Sequence, residues 1–222
     1  MKYTLPLLVT FAIFSLSCSK EKKELSKANI DIRLSSDQLI QKGKYAVNTE
    51  LSIVKWIGRE ITTKIHYGSL NLKKGVIDVT SQGTFSGEVI VDMNTIIVQD
   101  LTGRGKKALE SHLRSDDFFS VESYPEATIS FENVDLNNLE EFEGDLKIKD
   151  ISNPVKLSGK INKLQELSGY ESKIKLSFDR TLYNVQFRSG RFYENLGDKL
   201  INDDIELEVT IITRSDINNK SG

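Results

Sequence analysis

Beyond residue 44 the chain alternates apolar and polar side chains almost one by one. Val47, Leu51, Ile53 and Ile57 fall on odd positions opposite Asn48, Glu50 and Ser52, and a period of two predicts a half-buried strand. Ile61 to Leu72 and Val76 to Val79 come next, with turn-like Lys73-Lys74-Gly75 between them. Val89, Val91 and Met93 share one face of a strand from Thr84 to Met93. Ala127, Ile129 and Phe131 alternate with Thr128, Ser130 and Glu132, and Phe142, Gly144, Leu146 and Ile148 with their polar neighbours. Asp150-Ile151-Ser152-Asn153-Pro154 has hairpin-loop chemistry. Three more runs follow: Val155, Leu157, Gly159 and Ile161; then Ile174, Leu176 and Phe178; then Ile205, Leu207, Val209 and Ile211. Leu182 to Arg188 is less regular.

One segment breaks this rhythm. Between Lys106 and Leu113 the spacing is helical, with Ala108, Leu109 and Leu113 on one face and His112 beside them. Asp116-Asp117 ends that run, and Phe118-Phe119 forms an aromatic plug. Tyr124-Pro125 forces extended backbone, because proline disfavours the α region for the residue before it. The count is about eight strands with short connections and no βαβ rhythm, so pairing is expected to be antiparallel and sequential. The expected fold is all-β: an eight-stranded antiparallel barrel with one or two short helices. Closure removes exposed sheet edges. A barrel of that size either fills its lumen with side chains or holds one small ligand. Alternation alone leaves a two-layer sandwich open.

The 222 residues carry 30 basic and 32 acidic side chains, a net charge of −2. Such a balance provides no field for nucleic acid, and none is expected as a partner. A single cysteine excludes an intramolecular disulfide and a cysteine-based zinc site, and two histidines leave little for a histidine-rich one. No metal is expected. Lys2 is followed by an apolar run of about ten residues and then Ser15-Leu16-Ser17-Cys18, the pattern of an export signal and too short for a bilayer span. Cys18 sits where cleavage would fall and resembles a bacterial lipobox cysteine, although Leu16 is two residues before it and Ser15 holds the usual leucine place. The expected organisation is a signal peptide over 1–17, a lipidated tether over 18–43, a barrel over 44–214 and a tail over 215–222. An exported, lipid-anchored protein of the bacterial cell envelope follows, on either face of a membrane. An ordinary signal peptide with an incidental cysteine is the alternative.

Enzyme motifs are weak. Thr102-Gly103-Arg104-Gly105-Lys106-Lys107 lacks the first glycine and the Ser or Thr of a phosphate loop. Ser172-Lys173-Ile174-Lys175 matches S-x-x-K but lies on a strand without companion motifs. His66 and His112, with Asp117, could form an acid–base set, or each histidine could be structural. Phe118 and Phe119 could touch a ligand or seat the helix on the barrel. Asp179-Arg180, with Arg188 and Arg191, could hold an anionic head group at a barrel mouth or form surface ion pairs.

Several segments together resemble the YceI-like family of lipocalin-fold, polyisoprenoid-binding proteins. They are Trp56-Ile57-Gly58, His66-Tyr67-Gly68, GEVIVDMNTI from Gly87, SHLRSDDFF from Ser111 with Tyr124-Pro125, and Phe178-Asp179-Arg180-Thr181 with Tyr183-Asn184-Val185 and Asp203-Asp204. Asn184 replaces the usual glycine, and both tolerate positive φ. The resemblance covers about Tyr45 to Thr213. It implies a lipocalin-like barrel that binds a long isoprenoid or similar amphipathic lipid at a membrane surface without transforming it. It implies no cofactor other than that lipid, and it is compatible with a homodimer. A tunnel of this kind needs an apolar lining. The inward candidates are Val89 and Val91, Ile129 and Phe131, Leu146 and Ile148, and Leu157, Ile174, Leu176, Phe178 and Leu207. His66, His112, Phe118, Phe119 and Arg180 are candidates for a polar or aromatic mouth. An enzyme on the same barrel, or an interaction module with a filled barrel and an exterior apolar patch, is the competing expectation.

Overall fold

The computed structural model describes residues 40–61, 64–164 and 169–215. The expected signal peptide, Cys18 and most of the expected tether and C-terminal tail lie outside them. Nine strands form one antiparallel sheet: β1 (Gly43–Val47), β2 (Ile53–Arg59), β3 (Ile65–Val79), β4 (Thr84–Val98), β5 (Glu126–Asp135), β6 (Phe142–Ile148), β7 (Ile151–Leu164), β8 (Gly169–Asp179) and β9 (Asp204–Ser215). Among the described residues one α-helix, α1 (Gly103–Arg114), joins β4 to β5, and 3-10 turns occupy Arg180–Tyr183 and Gly197–Lys199.

β1 and β2 both lie between β3 and β9 and run end to end, so nine strands fill eight positions. The remaining strands pair in sequence, and β3–β4 pairing closes the ring into an up-and-down barrel. Side chains hold the seam between β1 and β2. Ser52 Oγ donates to the Asn48 carbonyl at 2.7 Å and accepts from the Ile212 backbone N–H at 2.9 Å. Asn48 N–H donates to the Ile212 carbonyl.

That seam overturns one expectation. Leu51, Ile53 and Ile57 do not face the core: Leu51 is exposed and the other two are half-buried, while Val54 and Trp56 point inward. The extra residues at the break change the phase, so Tyr45 faces inward from an odd position and Val54 from an even one. β3 shifts its phase alongside. Leu72 is buried, then a register shift at Leu72/Lys74 leaves Val76 exposed and Val79 inside. Lys73-Lys74-Gly75 is therefore an irregularity within one long strand, not a turn.

The β6–β7 connection is also tighter than expected. It turns at Lys149-Asp150, both left-handed at φ 50 and 62, and Asn153-Pro154 already belongs to β7. Pro154 pairs with Asp145 of β6 in a stretch where β7 has no second neighbour, since β8 joins only from Leu157. A strand proline is tolerated at such an edge.

Candidate functional site

The inner faces of the strands do not meet. Small side chains at Gly58 and Ala127 leave space between β2 and β5, and a cavity of about 200 Å³ opens there. Its wall is apolar: Val54, Leu70, Met93, Ile96, Leu146 and Phe178 among others. Two narrower spaces continue it along the barrel. The middle one, about 50 Å³, shares Val91, Leu146 and Leu207 with the main chamber. The last, about 40 Å³, shares Phe131, Ile174 and Ile211 with the middle one. Together they form a tapering apolar lumen. Phe85, Phe131 and Phe142 stack edge-to-face in the narrow end at 5.2–6.4 Å. The Tyr45–Tyr170 pair stands there too, 5.3 Å apart. Tyr45 hydroxyl donates to the Gln41 carbonyl and Tyr170 hydroxyl accepts from Gln41 N–H. Burial first, and then its neighbour Tyr170, keep the Tyr45 phenol protonated well above its ordinary pKa.

Over the wide end lies α1, fixed by two side chains to the end of β4. Glu110 Oε1 accepts the Val98 backbone N–H at 2.9 Å, and Arg114 donates to the Ile96 carbonyl at 2.6 Å. This turns Leu109, His112 and Leu113 toward the chamber. Ala108, expected on the same face, is exposed. The helix ends at Ser115, and a tight loop returns the chain: Ser120, left-handed at φ 48, gives its N–H to the Ser115 carbonyl. That loop delivers Phe118 and Phe119, buried and edge-to-face at 5.0 Å, into the chamber wall. Lys149 Nζ donates to the Phe118 and Asn184 carbonyls and ties the loop to the β6–β7 turn.

All eleven inward candidates line this lumen. Ile148 and Phe178 border the main chamber. Val91, Leu146 and Leu207 border both it and the middle space, and Val89, Ile129, Phe131, Leu157, Ile174 and Leu176 border the middle space. His66, His112, Phe118 and Phe119 also border the main chamber. Arg180 does not. It is fully buried, and its guanidinium is consumed by the Asn202, Val185 and Ile201 carbonyls at 2.7–3.1 Å and by Asp203 Oδ1 at 3.3 Å. Neither a head-group site nor a surface ion pair describes it: Arg180 is the tie that folds the loop after β8 onto the barrel. Its neighbour Arg191 takes the exposed pairing, to Asp179 at 2.7 Å and Asp203 at 3.3 Å.

The polar part of the chamber wall is Arg59, Glu60, His66 and Arg188, all half-buried, and this is the mouth. Arg59 pairs with Glu206 at 3.0 Å, and Glu60 with Lys64 at 3.5 Å. His66 Nδ1 donates to Asp100 Oδ2 at 2.7 Å. Burial opposes the Asp100 charge, but the hydrogen bonds from His66 and from Tyr67 N–H outweigh it and hold the carboxyl below its ordinary range. Asp100 had no motif to mark it. Arg188 lies 5.0 Å over the Phe187 ring. His112 stands deeper, edge-on to Phe187 at 4.4 Å and Phe118 at 5.7 Å. Burial, partly offset by the Asp117 carboxylate and reinforced by Arg188, keeps it below the ordinary imidazole pKa. Both histidines border one cavity, but Asp117 is exposed, and among the described residues the chamber's lining includes no serine, threonine or cysteine.

A closed antiparallel barrel with an apolar, tapering lumen and a helix across its wide end belongs to the lipocalin-like class of architectures. The YceI-like domain model matches residues 45–213, and the chain is a member of that family. Among solved structures, BcnA of Burkholderia cenocepacia superposes with a TM-score of 0.54 at 16% identity, over 75% of this chain and 98% of that one. A polyisoprenoid binding domain from Saccharophagus degradans, implicated in plant cell wall breakdown, gives 0.54 at 11% identity over 79% and 100%. A YceI protein of Campylobacter jejuni gives 0.44 at 19% identity over 66% and 85%. No curated protein sequence matches.

Proposed function

We propose that the barrel binds a single long-chain isoprenoid, or a lipid of similar shape, along its lumen, and carries or stores it without chemical change. The observation that carries this reading is the lumen itself, three adjoining apolar spaces of about 200, 50 and 40 Å³ that share wall residues. An apolar protein cavity of roughly 150 Å³ stays dry and takes up benzene-sized guests, so the main chamber is already large enough to bind hydrocarbon. Each buried methylene contributes about 0.8 kcal/mol before ordering costs. Family membership, and the ligand named for the Saccharophagus domain, favour an isoprenoid chain over other hydrocarbons. The export pattern and Cys18 support delivery at a membrane surface, with the protein held there by acyl chains.

Trp56 is the chain's only tryptophan and stands in the chamber wall, which makes it a built-in reporter. Titration with a menaquinone should quench its emission saturably. Gly58→Leu should abolish the response, because a Cβ at residue 58 meets only Ile205 Cδ1, at 3.6 Å, and the larger side chain fills the chamber without disturbing the strand. Emission that stays unchanged in excess menaquinone would remove the reading.

A further inference from the structure

The outside of the barrel is uneven. Ten large apolar side chains are exposed among the described residues. Six of them, 47–56% exposed, stand on two connections at the wide end: Ile61, Ile65 and Tyr67 on the β2–β3 hairpin, and Leu182, Phe192 and Tyr193 between β8 and β9. None stands on a described connection at the narrow end. The two connections adjoin: Ile61 N–H donates to the Leu200 carbonyl and Asn202 N–H to the Arg59 carbonyl, both at 2.9 Å. They make one apolar rim beside the mouth. Exposed apolar area gathered in one place with polar residues around it marks a surface that meets a partner. We propose that the wide end docks on the surface of an anionic lipid bilayer, with Ile61, Phe192 and Tyr193 entering the head-group region. This concerns the barrel's exterior and goes beyond the lipid-binding reading.

Charge selects the partner. The outward face of α1, across the same end, is Arg104, Lys107, Ala108 and Ser111, three and four residues apart and all exposed. The first turn of α1 holds no acid. Lys106 is 3.8 Å from Glu110, but among the described residues neither Arg104 nor Lys107 has an ion-pair partner. The stretch from Thr102 to Lys107 fails as a phosphate loop, yet it presents exposed cations to lipid phosphates. Elsewhere at this end the charges are matched. Glu60 faces Lys64 at 3.5 Å, and Arg191 holds Asp179 and Asp203. Asp116 and Asp117 act on Lys149 and His112, and Arg188 and Lys199 offset Glu194 and Asp198. A second copy would bring the same unpaired cations to the same face, which opposes self-pairing. Apolar and aromatic side chains bordered by Lys and Arg suit a bilayer interface, and tyrosine joins an apolar ring to a polar tip. The described chain begins at the narrow end, where Gln41 N–H donates to the Tyr170 hydroxyl. Ile40 follows Cys18 by 22 positions, a reach of at most about 75 Å. The longest strands have 15 residues and span at most about 50 Å. An anchor at Cys18 therefore leaves enough chain for the opposite end to meet the same bilayer.

Cys18 is the chain's only cysteine, so the full chain with Cys18→Ser takes a fluorophore at one chosen site. The dye NBD is attached at Tyr193→Cys on the rim, or at Gln82→Cys on the exposed β3–β4 turn of the narrow end. Each labelled chain is mixed with vesicles of phosphatidylethanolamine and phosphatidylglycerol that contain a nitroxide-labelled lipid. The N-terminal segment is common to both, so a difference between them reports which end meets the bilayer. Quenching at residue 193 should exceed that at residue 82 at least about fivefold. Arg104→Gln with Lys107→Gln should lower docking at least about tenfold, since each cation near an anionic bilayer contributes about fivefold. Gly58→Leu, with its chamber filled, should dock unchanged, which separates contact with the bilayer from lipid taken into the lumen. Equal quenching at both sites, quenching only at residue 82, or none at either would overturn the docking surface and leave lipid binding standing. So would quenching that the double substitution leaves unchanged, or that Gly58→Leu abolishes. A dimer seen without lipid in sedimentation equilibrium, and dissolved by Phe192→Ser, would also overturn it, because a second copy would then cover the rim. An absent menaquinone response at Trp56 would remove lipid binding and leave the docking surface standing.

Discussion

Arg180 shows how far a residue's chemistry depends on what surrounds it. In the sequence it stands in a charged pair, Asp179-Arg180, of the kind that normally faces water. In the structure it is completely buried, and three backbone carbonyls and one carboxylate take its N–H groups. Nothing in a single sequence marks carbonyls that converge from Val185, Ile201 and Asn202, so this role was illegible there. Arg180→Lys keeps the charge but cannot reproduce the planar fork. It should cost roughly 3 kcal/mol in urea unfolding, within the usual range for breaking a buried charged network. His112 gives a second residue-scale expectation. Its folded pKa is depressed, so below its ordinary value of 6.5 the unfolded chain takes up a proton that the folded chain refuses. The stability contributed by neutral His112 is thus full above about pH 6.5 and is lost as pH falls through the lowered folded pKa. Melting temperatures measured between pH 8 and pH 5 should fall more steeply for the natural chain than for His112→Phe. Parallel curves would contradict the assignment.

At the scale of elements, the period of two located nearly every strand, and the inner faces of β4 to β9 follow directly from it. It failed at the first strand. Leu51, Ile53 and Ile57 look like a core face only if Tyr45 to Gly58 is read as one unbroken strand. The seam at Asn48–Ser52 resets the phase, and the cue for it, a serine whose hydroxyl stands in for a ladder partner, is invisible to periodicity. An unbroken period of two turns Trp56 away from the core, so the sequence offers it only through a family motif and not as part of the lumen. Ser52→Ala removes a partner from the buried Ile212 N–H and should cost about 1–3 kcal/mol in chemical denaturation. The helical spacing puts Ala108 on the core face with Leu109 and Leu113, yet the structure turns it outward. Its position over the chamber depends on Glu110 and Arg114, which the sequence offers as ordinary surface charges. Glu110→Ala removes one of the two ties between α1 and β4 and strands the Val98 N–H. Stopped-flow exchange of a bound lipid should then become several-fold faster in both directions, with a lowered melting temperature. An unchanged exchange rate would show that the ligand does not pass α1.

For the molecule as a whole, the fold and the function rest on one balance between side-chain volume and barrel size. Eight strand positions enclose a space that side chains can nearly fill. Here Phe131, Leu157 and Leu176 come close to filling the middle, while Gly58 and Ala127 leave the wide end hollow. Sequence patterning can tell which residues point inward. It cannot tell whether they meet, because that depends on barrel geometry and on how the β1–β2 seam and the register shift in β3 reset the phase. A hollow of about 200 Å³ walled by hydrocarbon is destabilising when empty, at roughly 24 cal/mol per Å³ by the cost of engineered cavities. A lipid that fills it returns that stability, which is why occupancy and folding should be linked. The most direct test is native mass spectrometry of the protein purified from the cells that make it, compared with Gly58→Leu prepared in the same way. The natural chain should carry one additional mass, that of a single long-chain lipid, released on activation, and Gly58→Leu should appear bare. If the natural chain also appears bare, and stays so after incubation with a total lipid extract, the lumen is not a binding site.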